Sequence, residues 1–343
     1  MSELRFDIIK QHWVIIATER GRRPRDFQNV PKVIDTVACP FCYGYESKTP
    51  PEIFAIREYG AANTPGWKVR VIPNKYPALR VEGDVKSRGY GLYNVREGIG
   101  AHEVIIETPD HKKSMADFSQ EEITDVLKAY RARFLDLRND FRLRYMVLFK
   151  NHGVQAGASL SHSHSQLIAV PLTPPVASME LEVSREFYQK NERCIFCDLI
   201  EFELNAGVRV VSETSDYIVT APYASCFPFE LRLYPKQHLH DFAVMNDMQL
   251  SNLALAMKDM LQRIKVVLGD PPYNFILHNS PPVHNRPGKP DYWGSIKWDY
   301  HWHIELVPRL TQIAGFEWGT GFYINSTSPE DAAAFLRDAD LSL

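Results

Sequence analysis

Four of the five cysteines fall in two C-x-x-C pairs, Cys39-Pro40-Phe41-Cys42 and Cys194-Ile195-Phe196-Cys197. Two H-x-H pairs, His162-Ser163-His164 and His301-Trp302-His303, stand at matching places in the two halves. Thiolates and imidazoles are the usual ligands of tetrahedral zinc. A single four-cysteine ribbon would need its pairs about 15–20 residues apart, whereas Cys42 and Cys194 lie in opposite halves of the chain. A redox C-x-x-C follows a strand in a βαβ unit, a setting neither pair has. Each pair is therefore expected to recruit histidines from its own half. The first half offers Cys39, Cys42, His111 and one histidine of its H-x-H; the second offers Cys194, Cys197, His238 and one of its own. On a strand, positions i and i+2 face the same way. Each H-x-H can thus give one ligand to a metal and keep the other imidazole for chemistry. The expected metal is zinc, two ions per chain.

The elements that position these residues repeat. In the first half the cysteine pair is followed by the strand His102–Ile106, then Pro109-Asp110-His111, a helix, the strand Tyr145–Asn151 and the H-x-H. In the second half the cysteine pair leads to Leu231–Tyr234, Pro235-Lys236-Gln237-His238, a helix, Tyr273–Asn279 and the second H-x-H. The first helix opens on a capping box, Ser119 to Glu122, and shows Ile123, Val126, Leu127 and Tyr130 on one face. Its counterpart, over residues 248–267, shows Leu253, Met257, Met260, Leu261 and Ile264, an ordinary core stripe. Pro171, Pro174 and Pro175 mark a boundary, dividing the chain into halves 1–175 and 176–343. Cys226 reads as core, and His12, His152, His240 and His284 as ordinary core or surface residues.

Composition narrows the function. Hydrophobic residues make up 45% of the 343 and charged residues 24%; 39 Lys and Arg against 42 Asp and Glu leave a net charge of −3. That balance argues against a nucleic-acid partner, which favours a basic excess, and against a zinc-built adaptor for nucleic acid. No apolar run approaches the roughly 18 residues of a membrane span, and the N-terminus carries no secretory segment. A cytoplasmic protein with no membrane partner is expected.

At His162-Ser163-His164-Ser165-Gln166, preceded by Gly157-Ala158-Ser159-Leu160-Ser161, the chain resembles the galactose-1-phosphate uridylyltransferase family, within the histidine-triad superfamily of nucleotidyl hydrolases and transferases. The resemblance spans nearly the whole chain. It implies an α+β fold of two tandem histidine-triad-like halves related by a pseudo-twofold repeat, each an antiparallel sheet with a long helix, and a homodimer. It implies that His162 and His301 are the fourth metal ligands of their sets, that His164 is the nucleophile, and that Gln166 holds the phosphoryl oxygens. Arg22, Arg23, Asn74, Asn151, Gly157, Ala158, Ser159 and Ser161 match substrate-binding positions, as do Gln312, Phe316 and Glu317 at the sugar-phosphate end.

The chemistry suits those residues. A neutral imidazole, with a pKa near 6.5, is a good nucleophile toward phosphorus at neutral pH. The leaving sugar 1-phosphate is a weak base and needs no general acid, so glutamine can stand where hydrolytic relatives carry a third histidine. A glutamine amide can donate to the non-bridging oxygens as the phosphoryl group flattens. In the second repeat Glu305 takes that place, and a carboxylate would repel a phosphoryl group. One active site per chain is expected. The resemblance places uridylyl transfer between UDP-glucose and a hexose 1-phosphate first, with weak use of galactose 1-phosphate. Two departures point to the plant ADP-glucose phosphorylase branch, in which phosphate is the acceptor. The motif is H-S-H-S-Q rather than H-P-H-G-Q. Thr311 also stands four residues before Gly315-Phe316-Glu317, where the uridylyltransferases carry a lysine.

Overall fold

The repeat becomes one sheet. The computed structural model describes residues 2–20, 24, 39–284 and 293–342. Its strands are β1 (Glu3–Asp7), β2 (His12–Ile16), β3 (Phe54–Arg57), β4 (Trp67–Pro73), β5 (Ser87–Tyr90), β6 (Tyr93–Arg96), β7 (Ala101–Ile106), β8 (Tyr145–His152), β9 (His164–Val170), β10 (Val210–Glu213), β11 (Tyr217–Thr220), β12 (Leu231–Pro235), β13 (Tyr273–His278), β14 (His303–Pro308) and β15 (Tyr323–Asn325). Its helices are α1 (Gln120–Leu137), α2 (Pro175–Asn191), α3 (Ile195–Ala206), α4 (Asp247–Leu268), α5 (Ile296–Asp299), α6 (Gly315–Thr320) and α7 (Pro329–Arg337).

Ten strands form an antiparallel sheet in the order β10-β11-β12-β14-β13-β8-β9-β7-β4-β3. The order is palindromic by repeat. β8, β9, β7, β4 and β3 of the first half answer β13, β14, β12, β11 and β10 of the second. The two halves join where β8 pairs with β13, from Tyr273 opposite His152 to Leu277 opposite Leu148. This is the expected α+β repeat, with the refinement that the two sheets are fused. Fusion removes two exposed edges that would otherwise need protection.

Side chains alternate between the faces of this sheet. On one face lie α1 and α4 side by side, over Leu148, Leu167, Phe275 and Leu306. Ile123, Val126, Leu127 and Tyr130 of α1, and Leu253, Met257, Met260, Leu261 and Ile264 of α4, are all buried there. Both helices start on a capping box, Ser119 with Glu122 and Asn246 with Gln249. On the other face the halves differ. The second half is covered by a core that includes Leu181 of α2, Ile200 of α3 and Ile9 of the β1–β2 turn, packed against Ile218 and Tyr234. The β1–β2 hairpin reaches this half because β15 pairs with β2. In the first half, Val147, Phe149, Asn151, Gln166 and Ile168 are only half-buried. Cys226 is buried, as read from sequence. Among the described residues, no helix is long and apolar enough to cross a membrane.

Candidate active site and metal centres

The two cysteine pairs each gather their histidines. Potential ligand atoms of Cys39, Cys42, His111 and His162 lie within 4.8 Å of one another, and so do those of Cys194, Cys197, His238 and His301. Cys42 Sγ is 3.3 Å from His111 Nδ1 and 3.6 Å from His162 Nδ1, and Cys39 Sγ is 3.7 Å from His162 Nδ1. In the second set Cys197 Sγ is 3.3 Å from His238 Nδ1 and 3.7 Å from His301 Nδ1. Tetrahedral zinc, with bonds of about 2.3 Å to sulfur and 2.0 Å to nitrogen, puts those atoms about 3.5 Å apart. The far ring nitrogens are also engaged. His162 Nε2 donates to Thr108 O (2.7 Å), His301 Nε2 to Pro235 O (2.8 Å) and His238 Nε2 to Lys297 O (3.0 Å), while His111 Nε2 lies 3.0 Å from Ser161 Oγ. This is the outer hydrogen bond that fixes a metal-binding imidazole. Burial pushes His162 down to about 4, the neutral form a ligand needs. The donor set and its spacing fit zinc in both halves.

His162 ends a turn and His164 opens β9, so the cysteine–histidine cluster and the candidate nucleophile are two residues apart. His164 is 6% exposed. Its Nδ1 lies 2.8 Å from His162 O, and only a protonated Nδ1 can donate there. Nε2 is then left with its lone pair. Burial lowers the His164 pKa and so favours this neutral ring. Phe41, inside the first cysteine pair, packs edge-on against both the His162 and His164 rings.

Behind β9 lies a buried polar network that the sequence did not announce. Lys150 Nζ donates to Glu107 (2.5 Å), Ser163 Oγ (3.0 Å) and His164 O (3.1 Å). Glu107 also accepts from Ser163, Ser165 and Tyr130. Burial would raise Glu107, but Lys150 and the hydroxyls outweigh it and hold the carboxyl low. The serines of H-S-H-S-Q therefore point away from the open face, into this network. A buried lysine beneath a half-buried strand leaves no periodicity signal, because its partners come from two other segments of the chain.

Of the expected substrate residues, Asn74, Asn151, Gly157 and Gln166 gather around the same face. Asn74 Nδ2 and Gln166 Oε1 both contact His102 Nε2, at 3.1 and 2.8 Å. By strand register Asn151 follows the Phe149–Gln166 pair toward His164, and its Oδ1 accepts from Asn274 Nδ2 (2.8 Å) across the seam. Gly157 has φ +93°, a left-handed conformation that bends the 153–161 loop back toward the Asn151 amide. Ser161 is drawn to His111, and Ser159 is exposed in the same loop. Ala158 is tied to the loop's start by its N–H to Gly153 O. Gln312 and Phe316 are exposed, and Glu317 accepts from Ala314 N at the start of its own short helix, α6. Among the described residues none of the three is hydrogen-bonded to the histidine strand. Arg22 and Arg23 lie outside the described residues. His102 and Asn274 were missed, because nothing in the sequence marks a strand histidine or asparagine as facing a neighbour's glutamine or loop.

The equivalent place in the second half is filled. His303 Nδ1 faces His301 O at 3.2 Å, as in the first half, but the His303 ring stacks on His278 at 4.6 Å. His278 is wedged between Glu180 (3.2 Å) and Glu305 (3.3 Å). Burial opposes its charge, yet the two carboxylates hold it up to about 9. Glu305 in turn meets Lys10 (2.6 Å) and Arg232 (3.1 Å).

Comparison with known proteins agrees with this architecture. Residues 50–174 match the family model of the galactose-1-phosphate uridyl transferase N-terminal domain, and residues 180–327 that of the C-terminal domain. The ADP-glucose phosphorylase of Arabidopsis thaliana is 36% identical, over 99% of this chain and 93% of that protein. The galactose-1-phosphate uridylyltransferase of Thermotoga maritima is 25% identical, over the full length of both. The crystal structure of the Arabidopsis ADP-glucose phosphorylase with bound ADP-glucose superposes with a TM-score of 0.82 at 33% identity, covering all of both chains. With both halves matched in order, and with a full-length relative above 30% identity, the chain belongs to the galactose-1-phosphate uridylyltransferase family.

Proposed function

We propose that the protein is a hexose-1-phosphate nucleotidyltransferase working by ping-pong through a covalent nucleotidyl-His164. The observation that carries this is the His164 tautomer. With Nδ1–H held by His162 O, Nε2 has its lone pair on the uncovered face. In the first half-reaction Nε2 attacks the α-phosphorus of a nucleotide sugar, the bond from that phosphorus to the bridging oxygen breaks, and the sugar 1-phosphate leaves with the electron pair. In the second, a phosphate oxygen of the acceptor attacks the same phosphorus and displaces Nε2. Neither step needs a general acid. The Gln166 amide and the 153–161 loop supply neutral donors to the non-bridging oxygens.

In this reading Cys39, Cys42, His111 and His162 hold one zinc, and Cys194, Cys197, His238 and His301 a second. Zinc there is structural. It ties the cysteine loop to the strand that presents His164. We divide the chain at 175/176 into a catalytic half and a scaffold half. We also read it as a homodimer, in which Gln312 and, on α6, Phe316 and Glu317 face a neighbouring copy's site.

For the nucleotide, the family reading is uridylyl transfer from UDP-glucose to a hexose 1-phosphate. A second reading, adenylyl transfer from ADP-glucose to phosphate, is favoured by 36% identity to the ADP-glucose phosphorylase against 25% to the Thermotoga uridylyltransferase. The missing lysine at Thr311 favours it too. The test is kcat/KM for UDP-glucose plus galactose 1-phosphate against ADP-glucose plus phosphate, with mass spectrometry of the protein after exposure to nucleotide sugar alone. A hundredfold preference selects one reading. Absence of any nucleotidyl adduct on His164 overturns both.

A further inference from the structure

We propose that His102 is a positioning residue that sets which end of the Gln166 amide faces the reacting phosphoryl group. The inference rests on the nucleotidyl-transfer reading and adds a residue to it. His102 sits on β7, on the same face as Gln166 and one strand over.

The ring's tautomer follows from the main chain. The backbone N–H of Ala78 donates to His102 Nδ1 at 3.1 Å. A backbone N–H cannot accept, so Nδ1 carries the lone pair and the ring proton is on Nε2. Nε2 then needs an acceptor, and Gln166 Oε1 lies 2.8 Å away. An amide has one accepting and one donating end, and a fixed neighbour decides which is which. With its oxygen tied to His102, Gln166 turns its NH2 away from the ring.

Asn74 meets the same ring nitrogen with a donor. Its backbone N–H donates to His102 O (2.8 Å), and its Oδ1 accepts from Tyr76 N (2.9 Å). Its NH2 is therefore the end 3.1 Å from His102 Nε2. That nitrogen already bears a proton and cannot accept, so this contact is not a hydrogen bond and the Asn74 NH2 keeps its hydrogens for a ligand. One neutral imidazole, held by one backbone amide, thus leaves two side-chain amides as donors. Without it, Gln166 could rotate and present its oxygen to an anionic phosphoryl group, a repulsive arrangement.

The second half has nothing equivalent. Strand register puts Glu230 where β7 has His102 and Glu305 where β9 has Gln166. Two carboxylates there cannot orient an amide.

A double-mutant cycle tests the proposal, read as the single-turnover rate of His164 labelling by nucleotide sugar. His102→Ala should slow labelling by about 10- to 100-fold, less than the loss of a direct oxyanion donor, with KM changed less than about threefold. Gln166→Ala should slow it more, and the double variant should equal Gln166→Ala, because His102 acts only through that amide. His102→Gln, which can still donate from similar reach, should recover most of the rate. His102→Glu, which accepts only, should not. Multiplying losses in the double variant, or equal rates for the Gln and Glu variants, would overturn the proposal. Histidine 15N chemical shifts of the resting protein report the ring directly, so the orientation stands or falls even if wild-type protein takes no label. A His102 proton on Nδ1 overturns it.

Discussion

The strands β9 and β14 occupy equivalent places in a pseudo-symmetric sheet and carry the same H-x-H, yet their surroundings differ. On β9, His164 has its Nδ1 on a backbone carbonyl, a glutamine two residues on, and half-buried neighbours across the seam. On β14, His303 has the same backbone contact, but a glutamate follows and the face is filled by Asp7, Lys10, Glu180, Glu230, Arg232, His278 and Glu305. The filling groups come from the N-terminal hairpin, α2, β12 and β13, so the closure is built from distant parts of the chain. Duplication supplied two equivalent strands. A charge cluster is buried over one of them, and the other carries glutamine and half-buried neighbours in its place.

The largest test of this contrast is direct. His164→Gly should abolish nucleotidyl labelling and lower turnover by at least about 10⁴-fold, the scale on which losing a nucleophile acts. His303→Asn should leave labelling intact while lowering stability. Labelling that persists in the His164 variant, or vanishes in a folded His303 variant, would erase the distinction between the strands.

The metal centres sharpen the same comparison. Cys39→Ser and Cys194→Ser should each remove one zinc of two by elemental analysis and destabilise the fold by several kcal/mol, since structural metal binding is folding free energy. Their effects on chemistry should differ. The first cluster is two residues from His164, so Cys39→Ser should also suppress labelling. Cys194→Ser should spare it once the loss of folded protein is accounted for. Two zincs retained in either variant would contradict the ligand assignment.

What the sequence carried, and what it did not, follows the same division. Both C-x-x-C pairs, both H-x-H strands and the helix stripes are local patterns, and local patterns survive in a linear reading. The fusion of the two sheets at β8–β13 is a pairing of strands more than 100 residues apart, and no local pattern encodes it. Helix α2 was missed because the prolines at its start read as a stop, although Pro175 sits at a helix's first turn, where proline is tolerated. Asp7 and Lys10 looked like an ordinary charged N-terminus. Their burial against Arg232 and Glu305 depends on β2 pairing with β15. Gln312, Phe316 and Glu317 form a recognisable segment, yet among the described residues no hydrogen bond ties them to the histidine strand.

The filled face also predicts a pH dependence. His278, held up to about 9 by Glu180 and Glu305, keeps its proton in the fold where an unfolded chain near 6.5 has lost it. Its contribution is fully present below pH 6.5 and is lost as pH rises through 9. Stability should fall across that window by up to about 3 kcal/mol. Urea unfolding at pH 6.5 and 9.5 should show the fall in wild type and a flatter profile in His278→Gln. That variant should be less stable at the lower pH, because two buried carboxylates lose their partner. An equal slope in both proteins would place the pH sensitivity elsewhere.

The smallest expected effect concerns what duplication kept equal. α1 and α4 lie side by side under the two halves, and each starts on a reciprocal cap. Ser119 Oγ accepts from Glu122 N at 3.1 Å while Glu122 returns to Ser119 N at 2.7 Å, and Asn246 and Gln249 repeat the exchange at 2.9 Å each way. Each cap satisfies two backbone groups that the first turn leaves without intrahelical partners. Neither helix touches the open face, so the caps should matter for folding and not for chemistry. Ser119→Ala and Asn246→Ala should each cost about 1 kcal/mol, measured by urea unfolding, and leave His164 labelling unchanged. The two caps share no hydrogen-bond partner, so the double variant should lose the sum within about 0.5 kcal/mol. A single variant that slowed labelling would mean that α1 or α4 transmits to the histidine strand through the Tyr130–Ser165–Glu107 contacts. The halves would then differ in the core as well as on the face.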